Sequence, residues 1–185
     1  MLPENLGSRL RLPAIAAPMF LVSGPDLVVA ACQSGIIGTF PSLNQRSTEG
    51  FSQWLEEIAT RLSGNATAAP FGVNLIVHKT NARLTADLEA VVRAKVPLVI
   101  TSLGAVADVV AAVHAYGGLV FHDAVSRRHA EKAVEAGVDG IIAVAAGAGK
   151  QVLGNLTAAP CSGAIRRLVQ CLAGEHALVQ RAQTG

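Results

Sequence analysis

Six short apolar runs alternate with segments of helical periodicity, and this alternation constrains the fold more than any other feature. The runs cover residues 13–19, 36–40, 71–77, 98–102, 118–122 and 140–145. A helix between two strands lets them pair in parallel through a right-handed crossover. The pattern therefore predicts a parallel sheet covered by helices, either a β/α barrel or an open doubly wound sheet.

Length and composition narrow this prediction. Hydrophobic residues make up 51% of the 185 residues and charged residues only 15%, which suits strands that are covered on both faces. A closed eight-stranded barrel usually needs about 250 residues. The predicted fold class is α/β, a parallel β/α (TIM-type) barrel that is incomplete, with about six of the eight strands.

Charge, aromatic content and cysteine usage exclude several classes of function. The net charge is only +2 and aromatic residues make up 4%, so nucleic-acid binding is not expected. The apolar run over residues 14–22 is too short to span a membrane and lacks a basic leader. The three cysteines match no metal or redox spacing, so we expect a soluble, cytoplasmic protein without a metal site.

Helix boundaries follow from capping residues and hydrophobic spacing. Ser23 or Asp26 is predicted to cap the first helix, with Pro25 in its first turn. Another helix begins near Ser47 and a third is predicted over residues 80–95. The apolar stripe of the second helix predicts core packing, and it consists of Phe51, Trp54, Leu55, Ile58 and Leu62.

Ligands of parallel β/α proteins bind at the carboxyl ends of the strands, whichever architecture forms. Polar side chains at the end of an apolar strand are costly unless they bind a ligand or meet a partner. The residues at these ends are Pro18, Met19, Phe20, Asn74, Thr101, Ser102, His122, Asp123 and the glycine-rich residues 147–149.

Four of these residues suggest specific chemistry. Asn74 carries two donors and an acceptor, which suits the edge of a planar heterocycle, although a hydrogen bond to a neighbouring loop would also explain it. His122 and Asp123 could form a base with its orienting carboxylate. Because successive strand residues face opposite sides, one of the pair is structural unless the strand has ended. Gly149 lies in a Gly-x-Gly turn that allows close approach of the backbone to a ligand.

Together these segments resemble the nitronate monooxygenase (2-nitropropane dioxygenase-like) family of FMN-dependent β/α barrels. The resemblance covers about residues 10–149. It is carried by residues 13–19 (PAIAAPM), 71–75 (FGVNL), 120–123 (VFHD) and 128–149.

The resemblance implies a flavoenzyme that oxidises alkyl nitronates with O₂ to a carbonyl compound and nitrite. Pro18, Met19 and Phe20 would line the isoalloxazine ring with backbone groups, and Asn74 would lie close to the flavin. Asp123 and Gly149 would occupy positions in contact with FMN. Some members of the family are quinone or enoyl reductases, so the resemblance does not fix the substrate.

The resemblance ends abruptly at Gly149. The family continues with Gly-His-Ala-Gly or a similar motif, whose histidine serves the active site, whereas Gln151 stands at that position here. An amide cannot act as a base at neutral pH. We therefore expect a barrel portion over residues 1–149 and an atypical tail over residues 150–185. A frameshift, an altered splice or a premature stop would explain the tail, and a natural short paralogue is the competing account.

An incomplete barrel has two expected consequences. The first and sixth strands would have unpaired edges, through which chains could self-associate. The chain would be either an FMN-dependent enzyme acting on a small molecule or a non-catalytic β/α remnant that binds a partner chain, and the sequence leaves both open.

Overall fold

Six parallel strands follow one another in chain order in the computed structural model, which describes residues 8–104 and 106–144. They are β1 (Ile15–Ala16), β2 (Ile37–Pro41), β3 (Phe71–Ile76), β4 (Leu98–Ser102), β5 (Leu119–Ala124) and β6 (Gly140–Ala143). Each strand pairs with its neighbours in sequence, in the order β1-β2-β3-β4-β5-β6. A doubly wound sheet would reverse its strand order, so this sheet is of the barrel type. The strands form a curled half-barrel, which confirms the predicted incomplete β/α barrel.

Helices connect the strands on the outside of the sheet. They are α1 (Pro25–Gln33), α2 (Thr48–Ser63), α3 (Leu84–Arg93), α4 (Ala107–His114) and α5 (Arg127–Glu135), with a short 3₁₀ turn at Ser42–Asn44 after β2. The longest has 16 residues. None of the helices in the described ranges combines the length and the apolar character that a membrane crossing requires.

Two helix starts differ from the predictions. Gly24 caps α1 without a side-chain hydrogen bond, so the cap predicted at Ser23 or Asp26 is wrong. The Ser23 hydroxyl instead accepts a hydrogen bond from the backbone N–H of Met19 at 2.9 Å. Helix α3 begins at Leu84 rather than near residue 80 because Asn81 closes a turn. Its side chain donates to the carbonyl of Ile76 at 2.9 Å and accepts from the N–H of Arg83 at 3.1 Å.

Strand β5 is longer than the apolar pattern predicts. It continues through Asp123 to Ala124, because these residues pair with Ile142 and Ala143 of β6. Asp123 is therefore a strand residue with a defined facing direction.

Alternate strand residues build two separate cores. On the inner face, Ile37, Leu98, Ile100, Leu119 and Phe121 form one cluster. The outer face packs against the helices, where the predicted stripe of α2 is confirmed: Phe51, Leu55 and Ile58 are buried, and Trp54 and Leu62 pack against them. Because facing alternates along a strand, Ser102 follows Ile100, and Asp123 follows Phe121, on the inner face.

A buried ion pair fixes the loops at the carboxyl ends of β2 and β3. The Asp87 side chain is fully buried and accepts two hydrogen bonds from Arg83, each 3.0 Å long. Arg83 also donates to the carbonyl of Gln45 at 2.6 Å, and Thr48 donates to Asp87 at 2.7 Å. These bonds thus hold together the start of α2, the turn before it and the start of α3, at the carboxyl-terminal edge of the sheet.

Candidate active site

A row of three polar side chains crosses the carboxyl ends of neighbouring strands. The amide nitrogen of Asn74 on β3 donates to the hydroxyl of Ser102 on β4 at 2.8 Å and to the carbonyl of Ile100 at 3.1 Å. The Ser102 hydroxyl in turn donates to Oδ2 of Asp123 on β5 at 2.7 Å. We call Asn74, Ser102 and Asp123 the polar row.

The bonding partners determine the orientation of every group in the row. The Ile100 carbonyl can only accept, so the NH₂ group of Asn74 must face it and both of its hydrogens are used. Ser102 accepts from Asn74, and its own hydrogen therefore goes to the Asp123 carboxylate. What Asn74 retains for a ligand is its carbonyl oxygen, which can only accept a hydrogen bond.

The sequence places all three residues of the polar row at the ends of apolar strands, and the structure joins them by hydrogen bonds. Asn74 and Asp123 are both predicted site residues, and Ser102 connects them. The alternative in which Asn74 bonds to a neighbouring loop is wrong, because its partners belong to strand β4. The sequence indicates Ser102 as a strand-end residue, but nothing in it predicts the bonds of Ser102 to Asn74 and Asp123.

His122 faces the opposite side of β5 and does not pair with Asp123 as base and orienter. Its Nδ1 lies 2.9 Å from the hydroxyl of Thr101, which donates to the carbonyl of Phe121 at 3.2 Å. Thr101 has a single hydroxyl hydrogen, which can serve only one of these two acceptors, the Phe121 carbonyl or Nδ1 of His122. Burial lowers the pKa of His122, and the charge of His129 lowers it further, while Asp123 opposes the shift.

This lowered pKa predicts a pH dependence of stability. The unfolded chain binds a proton at His122 near pH 6.5 and the folded chain only at lower pH, so stability falls as pH drops below about 6.5. His122→Gln removes this contribution. We expect the free energy of unfolding, measured with urea at pH 7.5 and pH 5.5, to fall by less in the variant than in the parent. An equal fall in both proteins would contradict the assignment.

Pro18, Met19 and Phe20 lie in the loop between β1 and α1. This loop lies at the same carboxyl-terminal edge of the sheet as the polar row. Strand β2 separates β1 from β3, so the loop lies two strands away from Asn74. Phe20 is 66% exposed and Met19 42%. The remaining predicted positions, Gly149 and Gln151, lie outside the described residues.

A cleft of about 960 Å³ opens beside the polar row, at the ends of β4 to β6. Ser102, Asp123 and His122 line it from the strands, and His129 and Lys132 line it from α5. Its apolar lining consists of Ile76, Leu103, Val106, Ala107, Val125, Ala133, Ala136 and Val144. This volume is in the range of small-molecule sites.

Comparison with known proteins gives structural matches only. No protein-family model and no curated protein matches the chain. FabK from Thermotoga maritima matches with a TM-score of 0.66 and 21% identity, over 76% of this chain and 42% of that one. Nitroalkane oxidase from Streptomyces ansochromogenes matches with a TM-score of 0.64 and 22% identity, over 75% of this chain and 48% of that one.

A mandelate oxidase mutant matches over 92% of this chain and 58% of its own length, with a TM-score of 0.61 and 19% identity. The chain thus spans about half the length of these solved structures. At such identities the likeness establishes a shared fold.

Proposed function

We propose that this chain binds FMN and forms part of a flavin-dependent oxidoreductase. The structural neighbours are FMN-dependent enzymes, and the sequence resemblance names the same cofactor. The main support for the proposal is the polar row, which holds the Asn74 carbonyl oxygen in one orientation at the carboxyl ends of the strands.

The side chains at this edge fit the chemistry of an isoalloxazine ring. The ring has an N–H donor at its pyrimidine edge, for which the Asn74 carbonyl oxygen is a matching acceptor. Its faces are apolar, as are the exposed side chains of Met19 and Phe20. FMN, when bound, supplies the redox chemistry, and the chain supplies binding and orientation.

Ser102 and Asp123 fix the orientation of the Asn74 side chain. The bond from Ser102 to Asp123 keeps the serine hydrogen away from Asn74, so that Ser102 can accept from the amide. Asn74 is thereby held in one orientation before the ligand arrives, and a ligand does not have to reorganise the site.

For the substrate, we propose an alkyl nitronate that is oxidised with O₂ to a carbonyl compound and nitrite. The cleft beside the polar row offers Leu103, Val106 and Val125 for a short alkyl group. Lys132 and His129 can donate hydrogen bonds to nitronate oxygens, with Glu135 nearby on the same helix. The resemblance to nitronate monooxygenases supports this substrate class.

The test is turnover by the purified chain after incubation with FMN and removal of the excess. With propyl-2-nitronate we expect O₂ consumption and nitrite release, both lost when FMN is omitted. Bound FMN without nitrite release, together with reduction of quinones or enoyl compounds by a nicotinamide, would replace the nitronate proposal by a reductase function. A chain that retains no FMN would support the non-catalytic alternative.

A further inference from the structure

The loop after β1 presents four consecutive large apolar side chains to solvent. Met19, Phe20, Leu21 and Val22 are 42%, 66%, 78% and 64% exposed. Single exposed apolar residues are normal, whereas contiguous patches usually mark a contact surface. We call residues 19–22 the apolar loop.

One side chain from another element holds the apolar loop in place. Asn44 ends the 3₁₀ turn after β2. Its amide nitrogen donates to the carbonyl of Met19 at 3.0 Å and to that of Ser23 at 2.7 Å. Its amide oxygen accepts from the N–H of Leu21 at 3.0 Å. Because the two carbonyls can only accept and the N–H can only donate, the orientation of the amide is unambiguous.

The loop needs this support because its backbone is strained. Leu21 has a φ angle of +62°, in the left-handed region that residues with a β-carbon seldom adopt. Such a conformation persists only where the surroundings impose it, and it is often found at ligand-binding sites. The Asn44 bond to the N–H of Leu21 acts on the strained residue itself.

We propose that Asn44 is a positioning residue for the cofactor, since it holds the apolar loop in the conformation that receives the isoalloxazine ring. The inference rests on the proposed FMN binding. It assigns a part in that binding to Asn44, which lies far from the apolar loop in the sequence. By fixing the loop beforehand, Asn44 removes the cost of ordering it when the ligand binds. Its effect is on affinity and not on the chemistry of the reaction.

The test compares Asn44→Ala and Asn44→Asp with Asn65→Ala as the matched control. Aspartate has the size of asparagine and can still accept from Leu21, but it cannot donate to Met19 or Ser23. Asn65 accepts from the N–H and hydroxyl of Thr67 in the loop between α2 and β3, at the opposite edge of the sheet. We expect both Asn44 variants to bind FMN roughly tenfold or more weakly, and the control to bind like the parent.

Amide hydrogen exchange at Leu21 gives a readout that does not need the cofactor. Exchange should accelerate in Asn44→Ala, because the N–H loses its acceptor. Faster exchange with unchanged FMN affinity would overturn the inference while the proposed function stands. If the parent chain does not bind FMN, the proposed function and this role of Asn44 both fail. Faster exchange would then show that the Asn44 contact is structural only.

Discussion

Replacing Asn74 with leucine is expected to weaken FMN binding by roughly 10- to 100-fold. The change keeps the size of the side chain and removes the carbonyl oxygen that is proposed to accept a hydrogen bond from the flavin N–H. It also leaves the Ser102 hydroxyl and the Ile100 carbonyl without the amide that now satisfies them. The loss of these two bonds destabilises the free and the bound chain alike. The flavin N–H, however, is left without an acceptor only in the complex, which costs about 1–3 kcal/mol, and about 1.4 kcal/mol corresponds to a factor of ten in affinity.

Two adjacent hydroxyls provide the matched comparison for this prediction. Ser102 lies in the polar row, whereas Thr101 faces the helices and bonds to His122. Ser102→Ala should therefore weaken FMN binding, by roughly tenfold, and Thr101→Val should leave it unchanged. Affinities would be measured by titration against the flavin absorption band. Equal effects of the two variants would show that the row has no special part in binding.

Replacing Phe40 with alanine is expected to lower the free energy of unfolding by about 3–5 kcal/mol, a large fraction of the stability of a typical domain. Phe40 is fully buried. Its ring centroid lies 5.9 Å from that of Phe51 and 5.7 Å from that of Trp54. The change opens a cavity between β2 and α2 and removes both aromatic contacts.

Phe20→Ala is the control for this second prediction, because it deletes the same atoms from a side chain that is 66% exposed. We expect a change within about 0.5 kcal/mol for the control. The free energy of unfolding of both variants would be measured by urea unfolding. The signal is the fluorescence of Trp54, the single tryptophan of the chain. A similar loss of stability in the two proteins would contradict the described core.

The strands could be predicted from sequence because their apolar runs are local features. The bounds of β4 agree with the prediction at both ends, at Leu98 and Ser102. The end of β5 could not be predicted, because Asp123 and Ala124 are polar or small and join the strand only by pairing with β6. Likewise the start of α3 depends on the side chain of Asn81, which bonds backward to Ile76.

The site was predictable only in part for the same reason. Asn74, Ser102 and Asp123 all stand out as polar residues at the ends of apolar strand runs, but the bonds between them follow from the inward face that β3, β4 and β5 share in the folded sheet. Nothing local marks Asn44, because it contacts Met19 and Ser23 across 25 and 21 positions of the sequence. The roles of Pro18, Met19, Phe20, Asn74 and Asp123 toward FMN remain predictions, as does self-association through the edges of β1 and β6.

Equilibrium titration of the purified chain with FMN would show whether this half-barrel binds the cofactor at the polar row. Perturbation of the visible flavin band and quenching of Trp54 fluorescence would be followed in the parent and in Asn74→Leu. We expect saturable changes in the parent that require a higher FMN concentration in the variant; this is the result of FMN binding at Asn74. No perturbation in the parent, or identical curves for the two proteins, would contradict it.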